Sequence, residues 1–205
     1  MTGYSIRKIN DKELIDVYKH IKKDFAPDEY APYEVLYHQV QNGEQEGMIL
    51  CKDEQDVAYA ICAGSSPNGF VLISLLAVYE QFRCQGIGSV FLNKLGSKYS
   101  NKSGIIVEVE KPEESSSKEE RDCRKKRIEF YKKAGFCLIP NIDYSIWDVP
   151  MHLMAMPLSV PIESINETIG NIMYEIYLQL MGKRYIHKLK FSRQQLRLEK
   201  WKYYF

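Results

Sequence analysis

Arg83-Cys84-Gln85-Gly86-Ile87-Gly88-Ser89 separates the most apolar run of the chain from an amphipathic segment. Upstream, Phe70-Val71-Leu72-Ile73-Ser74-Leu75-Leu76-Ala77-Val78-Tyr79 is rich enough in aliphatic, β-branched and aromatic residues for a buried strand. Downstream, Ile87, Val90, Phe91 and Leu95 recur at helical spacing, with Asn93, Lys94 and Ser97 on the other side. The order is strand, glycine turn, helix. A helix that opens on Gly-x-Gly presents unpaired backbone N–H groups and the positive end of its dipole, a combination suited to phosphate. The ligand expected from these residues alone is a phosphate-bearing cofactor.

The remaining composition narrows the setting. With 205 residues, 45% of them hydrophobic, the chain is long enough for one domain with a sizeable core and an appendage. A formal net charge of +1 gives no general argument for nucleic acid. The first residues lack a hydrophobic segment and no run approaches the roughly 20 apolar residues of a spanning helix, so a soluble, cytoplasmic protein is expected. Cys51, Cys62, Cys84, Cys123 and Cys137 are odd in number and never spaced C-x-x-C, which indicates neither a disulfide framework nor a zinc site.

Outward from the turn, elements alternate. Tyr4 to Ile9 reads as a strand, and Asn10-Asp11-Lys12-Glu13 as a capping box opening a helix with Leu14, Val17, Tyr18 and Ile21 inward. A second helix starts near Tyr33 and can stop at Gly43. Asp24, Asp28, Glu29 and Glu34, interleaved with Tyr30, Tyr33 and Tyr37, make either a solvated surface or a wall that attracts a cation. Met48–Lys52 and Val57–Ala63 read as a hairpin, and Ser65–Gly69 as a turn. Gly104–Glu110 reads as a strand with Glu108 and Glu110 on one face. Lys111–Ser117 reads as a mobile loop, followed by a helix capped by Ser117 and closed by Gly135. Phe136–Ile139 reads as a strand, and Tyr144–Met156, interrupted by Pro150, as an edge strand or irregular return. The boundary falls near Pro157. Residues 158–205 form an extension with a capping box at Ser164-Ile165-Asn166-Glu167, an apolar stripe from Ile165 to Leu180, a possible stop at Gly182 and a basic, aromatic tail.

Three readings of the glycine turn compete. A P-loop needs a lysine after its second glycine, and none is present. A dinucleotide fingerprint needs a third glycine where Phe91 stands, although Glu108 lies near the right distance for its acid. The third reading uses more of the chain. Arg83-Cys84-Gln85-Gly86-Ile87-Gly88 resembles the Gln/Arg-x-x-Gly-x-Gly/Ala acyl-CoA pyrophosphate loop of the GNAT superfamily of N-acetyltransferases, and Leu76-Ala77-Val78 resembles the end of that family's fourth strand. Phe130-Tyr131-Lys132-Lys133-Ala134-Gly135-Phe136 resembles its Phe-Tyr-x-x-x-Gly-Phe segment. Glu80, where many relatives have proline, and the long Lys111–Ser117 passage depart from the pattern.

The resemblance implies an α/β fold, a mixed and mostly antiparallel sheet flanked by helices, over residues 1–157, with the C-terminal helical extension outside it. It implies acetyl-CoA as co-substrate, the backbone from Cys84 through Gln85, Gly86, Ile87 and Gly88 to Ser89 holding pyrophosphate, Arg83 assisting, and Leu76, Ala77 and Val78 pairing with the pantetheine arm. Tyr131 is then the candidate general acid, near the thioester. Glu110 is the first candidate base and Glu108 the second, with Glu80 a third. The acceptor is expected to be a small-molecule or peptide amine, with no nucleic acid or membrane partner and a homodimer possible through the extension. The alternatives are a non-catalytic acyl-CoA-binding module of the same fold and an NAD(P)-binding oxidoreductase.

Overall fold

A computed structural model describes residues 3–63 and 69–193. Its elements are β1 (Tyr4–Lys8), α1 (Asp11–Asp24), α2 (Tyr33–Gln41), β2 (Gln45–Lys52), β3 (Gln55–Ala63), β4 (Phe70–Val78), α3 (Ile87–Lys98), β5 (Gly104–Glu110), α4 (Lys118–Lys133), β6 (Cys137–Leu138), β7 (Ile142–Ile146), β8 (Val149–Pro157), α5 (Ile162–Tyr185) and β9 (Leu189–Arg193). The capping box at Asn10 forms: its side chain accepts from the N–H groups of Lys12 and Glu13, and Glu13 Oε2 accepts the Asn10 N–H at 3.0 Å. The β2–β3 hairpin turns through Asp53 and Glu54, both with positive φ, as a tight primed turn requires.

The sheet runs β1-β2-β3-β4-β5-β8-β7-β9, with β6 pairing β8 beside β7. Every pair is antiparallel except β4–β5. This is the mixed, mostly antiparallel sheet the sequence implies. Strand alternation divides the core into layers. On one face Val71, Ile73, Val107 and Val109 meet Phe91, Leu92 and Leu95 of α3 and Tyr131 of α4. On the other, α1 and α2 cover Ile49, Tyr59, Ile61 and Leu75, while α5 covers Leu72, Ile106, Tyr144 and Leu153.

The stripe of α5 therefore finds its partner within the chain. Ile165, Ile169, Ile172, Met173 and Ile176 are all buried on the sheet, each contributing roughly 1.5–3 kcal/mol of transfer free energy. The helix starts earlier than the Ser164–Glu167 pattern suggests: Pro161 is its N-cap, and the Pro161 carbonyl accepts from the Ile165 N–H at 3.3 Å. Proline supplies a preset φ and needs no donor at a helix start, so it displaces the capping box. Gly182, at φ 67° and ψ 178°, breaks the helical conformation, and the chain then resumes its turn to Tyr185.

Two further expectations are corrected. Lys111–Ser117 is tied down: Arg124 donates to the Lys111 carbonyl at 2.8 Å, and Glu113 meets His152 at 3.1 Å. The return through Tyr144–Met156 is a regular hairpin that turns at Trp147 and Asp148, with φ of 51° and 65°, and β8 is interior. Pro150 is harmless there because pairing with β5 begins only at Met151, so its missing N–H costs that ladder nothing. In the tail, Lys188 and Lys190 both meet Asp148. The charges and aromatics expected at Arg197, Glu199, Lys200, Trp201, Lys202, Tyr203 and Tyr204, and the turn at Ser65–Asn68, lie outside the described residues. No helix among the described residues is long and apolar enough to cross a membrane.

Candidate active site

The site begins with one extra residue in β4. Ile61 faces Leu75 and Cys62 faces Ile73, so Ser74 is a bulge, and its Oγ donates to the Ile61 carbonyl at 3.0 Å. Bulges bend the strand that carries them. The β4–β5 ladder stops at the same level, its last register partners being Ile73 and Val107, while β4 continues to Val78 and β5 to Glu110. The two strands thus splay into a wedge. Tyr79 N–H donates to the Val57 carbonyl at 3.0 Å, so alternation turns the N–H groups of Leu76 and Val78 into the wedge, where no strand remains to receive them.

The glycine turn closes one end of this wedge. Cys84 and Gly86 have φ of 60° and 74°, and α3 starts immediately after. The Gly86 carbonyl takes the N–H groups of Ser89 and Val90 at 3.1 and 3.3 Å, whereas those of Gln85, Gly86, Ile87 and Gly88 have no acceptor among the described residues. Consecutive free N–H groups at a helix start form an anion-binding nest. A Cβ at Gly88 would lie 3.1 Å from Cζ of Phe130, so a larger residue here requires that ring of α4 to give by a few tenths of an ångström. Tyr131 packs edge-on against Phe130 and Phe136. Its hydroxyl has no hydrogen-bond partner among the described residues, and burial pushes the phenol up to about 12.

A cleft of about 1480 Å³ passes through the wedge from this loop and Tyr131 to the opposite face of the sheet. There Glu108 and Glu110 line it from β5, together with Tyr177, Leu180, Met181 and Tyr185 of α5. Glu108 accepts from the hydroxyls of Tyr144 and Tyr177, the latter at 2.7 Å. Burial raises the Glu108 carboxyl, and the two donated hydrogen bonds oppose that shift without cancelling it. Glu110 is held in ion pairs with Arg124 at 2.8 Å and Arg127 at 3.2 Å. Asp24, Asp28, Glu29 and Tyr30 line the same side, giving it an acidic rim.

Residues 43–137 match the family model described as an acetyltransferase (GNAT) domain. That stretch is similar to GNAT acetyltransferase domains. Solved structures agree in fold. A GNAT-family acetyltransferase from Bacteroides thetaiotaomicron is 21% identical with a TM-score of 0.69, covering 87% of this chain and 98% of its own. The spermidine N-acetyltransferase from Vibrio cholerae, in complex with CoA and spermine, is 9% identical with a TM-score of 0.58, over 76% and 96% of the two chains. The ribosomal-protein-S18-alanine N-acetyltransferase from Escherichia coli is 19% identical with a TM-score of 0.55, over 78% and 96%. No curated protein matches the chain.

Within the matched stretch, the cleft gathers Leu76, Ala77, Val78, Arg83, Cys84, Gly86, Ile87, Gly88, Ser89, Glu108, Glu110 and Tyr131. The Gln85 side chain turns away and donates to the Gln81 carbonyl at 3.3 Å. Arg83 is engaged by Asp24 at 2.6 Å and by the Val78 carbonyl at 3.0 Å, and Asp24 also accepts the Tyr59 hydroxyl at 2.9 Å. Its guanidinium thus links the end of α1 to the end of β4. Glu80 is exposed, paired with Lys23 at 2.5 Å and outside the cleft. Phe91 is fully buried under the sheet where a dinucleotide fingerprint needs glycine. Tyr144 and Tyr177, the donors to Glu108, were not singled out by the sequence: Tyr177 reads as one more member of the α5 stripe.

Proposed function

We propose that this chain transfers the acetyl group of acetyl-CoA to a primary amine by direct attack in a ternary complex. The observation that supports this most strongly is the wedge between β4 and β5, with an anion nest on one face of the sheet and Glu108 on the other. A thioester lying along β4 meets an amine entering from the α1, α2 and α5 side. The free N–H groups of Gln85, Gly86, Ile87 and Gly88 hold the pyrophosphate, and the N–H of Leu76 or Val78 receives the developing oxyanion. Two structural neighbours bear names of enzymes acting on spermidine and on a ribosomal-protein alanine, both amines.

The amine nitrogen attacks the thioester carbonyl, and its proton passes to the Glu108 carboxylate. Glu108 is a better base here than Glu110, whose oxygens are occupied by two arginines. Collapse of the tetrahedral intermediate breaks the C–S bond, and Tyr131 donates to the departing sulfur. With a phenol pushed up to about 12 against a thiol near 8.5, full transfer runs uphill by roughly 3–4 pKa units. Tyr131 therefore acts as a hydrogen-bond donor to the developing thiolate, and solvent completes the protonation. A Tyr131→Phe variant is expected to lose about 10²-fold or more in kcat for CoA release, with acetyl-CoA affinity kept within a few-fold. An unchanged kcat removes Tyr131 from the reaction.

A further inference from the structure

The acceptor half of the cleft is roofed by a segment outside the region matched by the family model. Residues 43–137 carry the match, whereas Leu180 and Met181, which line the cleft, belong to α5. The roof is tied across the cleft: Gln39 of α2 donates through Nε2 to the Leu180 carbonyl at 2.8 Å. This tie falls beside the break at Gly182, whose φ of 67° suits glycine and whose absent Cβ faces open space. The hairpin borders a third side, with the Trp147 ring tilted 44° against that of Tyr185 at 5.7 Å and Asp148 held by Lys188 and Lys190.

Resting on the acetyltransferase reading above, we propose that α5 roofs the acceptor site so that it takes a small amine with an apolar body and excludes polypeptide amines. A polypeptide needs an open-ended groove that accepts its chain on both sides of the reacting amine. Here α2 and α5 are joined across that path. Leu36, Met151, Leu180 and Met181 give this half of the cleft an aliphatic wall beside the acidic rim of Asp28 and Glu29, with Glu108 as the half-buried carboxylate that receives the amine. Leu180 and Met181 are thus specificity-determining residues on the far side of the sheet from the anion nest.

The test compares phenethylamine and hexylamine with a hexapeptide bearing a free N-terminus and a blocked peptide with an internal lysine, all followed by CoA release with the full chain. The expected kcat/KM is at least tenfold higher for the small amines. A Leu180→Trp variant, which fills the pocket, is expected to raise KM for phenethylamine about tenfold while leaving acetyl-CoA affinity unchanged. A Gln39→Ala variant, which unties the roof, is expected to shift the ratio toward the peptides several-fold. Peptides turned over as well as the small amines, or a Leu180→Trp variant with unaltered KM, overturns the pocket while the acetyltransferase reading stands. Failure of the chain to bind acetyl-CoA removes both.

Discussion

Replacing Glu108 by Gln separates catalysis from folding. Tyr144 and Tyr177 donate to different oxygens of the carboxylate; in the amide the carbonyl accepts from one hydroxyl and the NH2 donates to the oxygen of the other, but neither can take a proton from the acceptor. Loss of a positioned general base costs about 10²–10⁴ in rate, or roughly 3–5 kcal/mol in the barrier. Stability moves the other way. Folding raises the Glu108 carboxyl above its ordinary 4.5 through burial, so the native state binds this proton more tightly than the unfolded chain. The contribution of Glu108 is fully favourable below pH 4.5 and is lost as pH rises through the raised value. The Gln variant lacks that loss, so its Tm relative to the unmodified chain increases as pH rises above 4.5. The paired assays are kcat against pH, by CoA release, and thermal unfolding over the same range. The unmodified chain should show an acidic limb displaced above the usual carboxylate range, and the variant should lack it. A variant that keeps kcat within threefold, or that retains the same acidic limb, refutes the assignment of Glu108 as base.

Two other substitutions probe the frame. Gly88→Ala forces its Cβ to 3.1 Å from Phe130. Overpacking of this kind costs about 1–3 kcal/mol, and the displaced ring should weaken acetyl-CoA binding, seen as a higher Kd by calorimetry together with a lower denaturation midpoint. Asp24→Ala leaves the hydroxyl of fully buried Tyr59 without its acceptor. The expected loss is about 1–3 kcal/mol by urea unfolding, and a loss below about 0.5 kcal/mol contradicts the role given to Asp24.

The geometry of the glycine turn was legible because its signals are local. The turn at Gly86 needs a positive φ, Gly88 needs close passage of Phe130, and both sit within a few residues of the strand and helix they join. The acceptor side was harder to read because its contacts join residues far apart in the chain. Tyr144 and Tyr177 reach Glu108 from 36 and 69 residues away, and the Gln39–Leu180 tie spans 141. Read from the sequence, Glu110 comes before Glu108 as candidate base; both line the cleft, but two arginines from α4 pair with Glu110, whereas Glu108 meets only neutral tyrosine hydroxyls, a difference invisible in the sequence. Arg83 shows the same limit. Its place in the motif suggests phosphate, but Asp24 competes for it through a contact that only the folded α1 creates. The capping box at Ser164 misled for a local reason, since Pro161 is a sufficient helix start and lies upstream.

The wedge between β4 and β5 is the proposed seat of an acyl-CoA. Titration calorimetry of acetyl-CoA into the full chain tests this most directly. One molecule of acetyl-CoA per chain should bind, with NAD giving no heat under the same conditions. Folded protein that takes up no acetyl-CoA, or that binds NAD in its place, contradicts it.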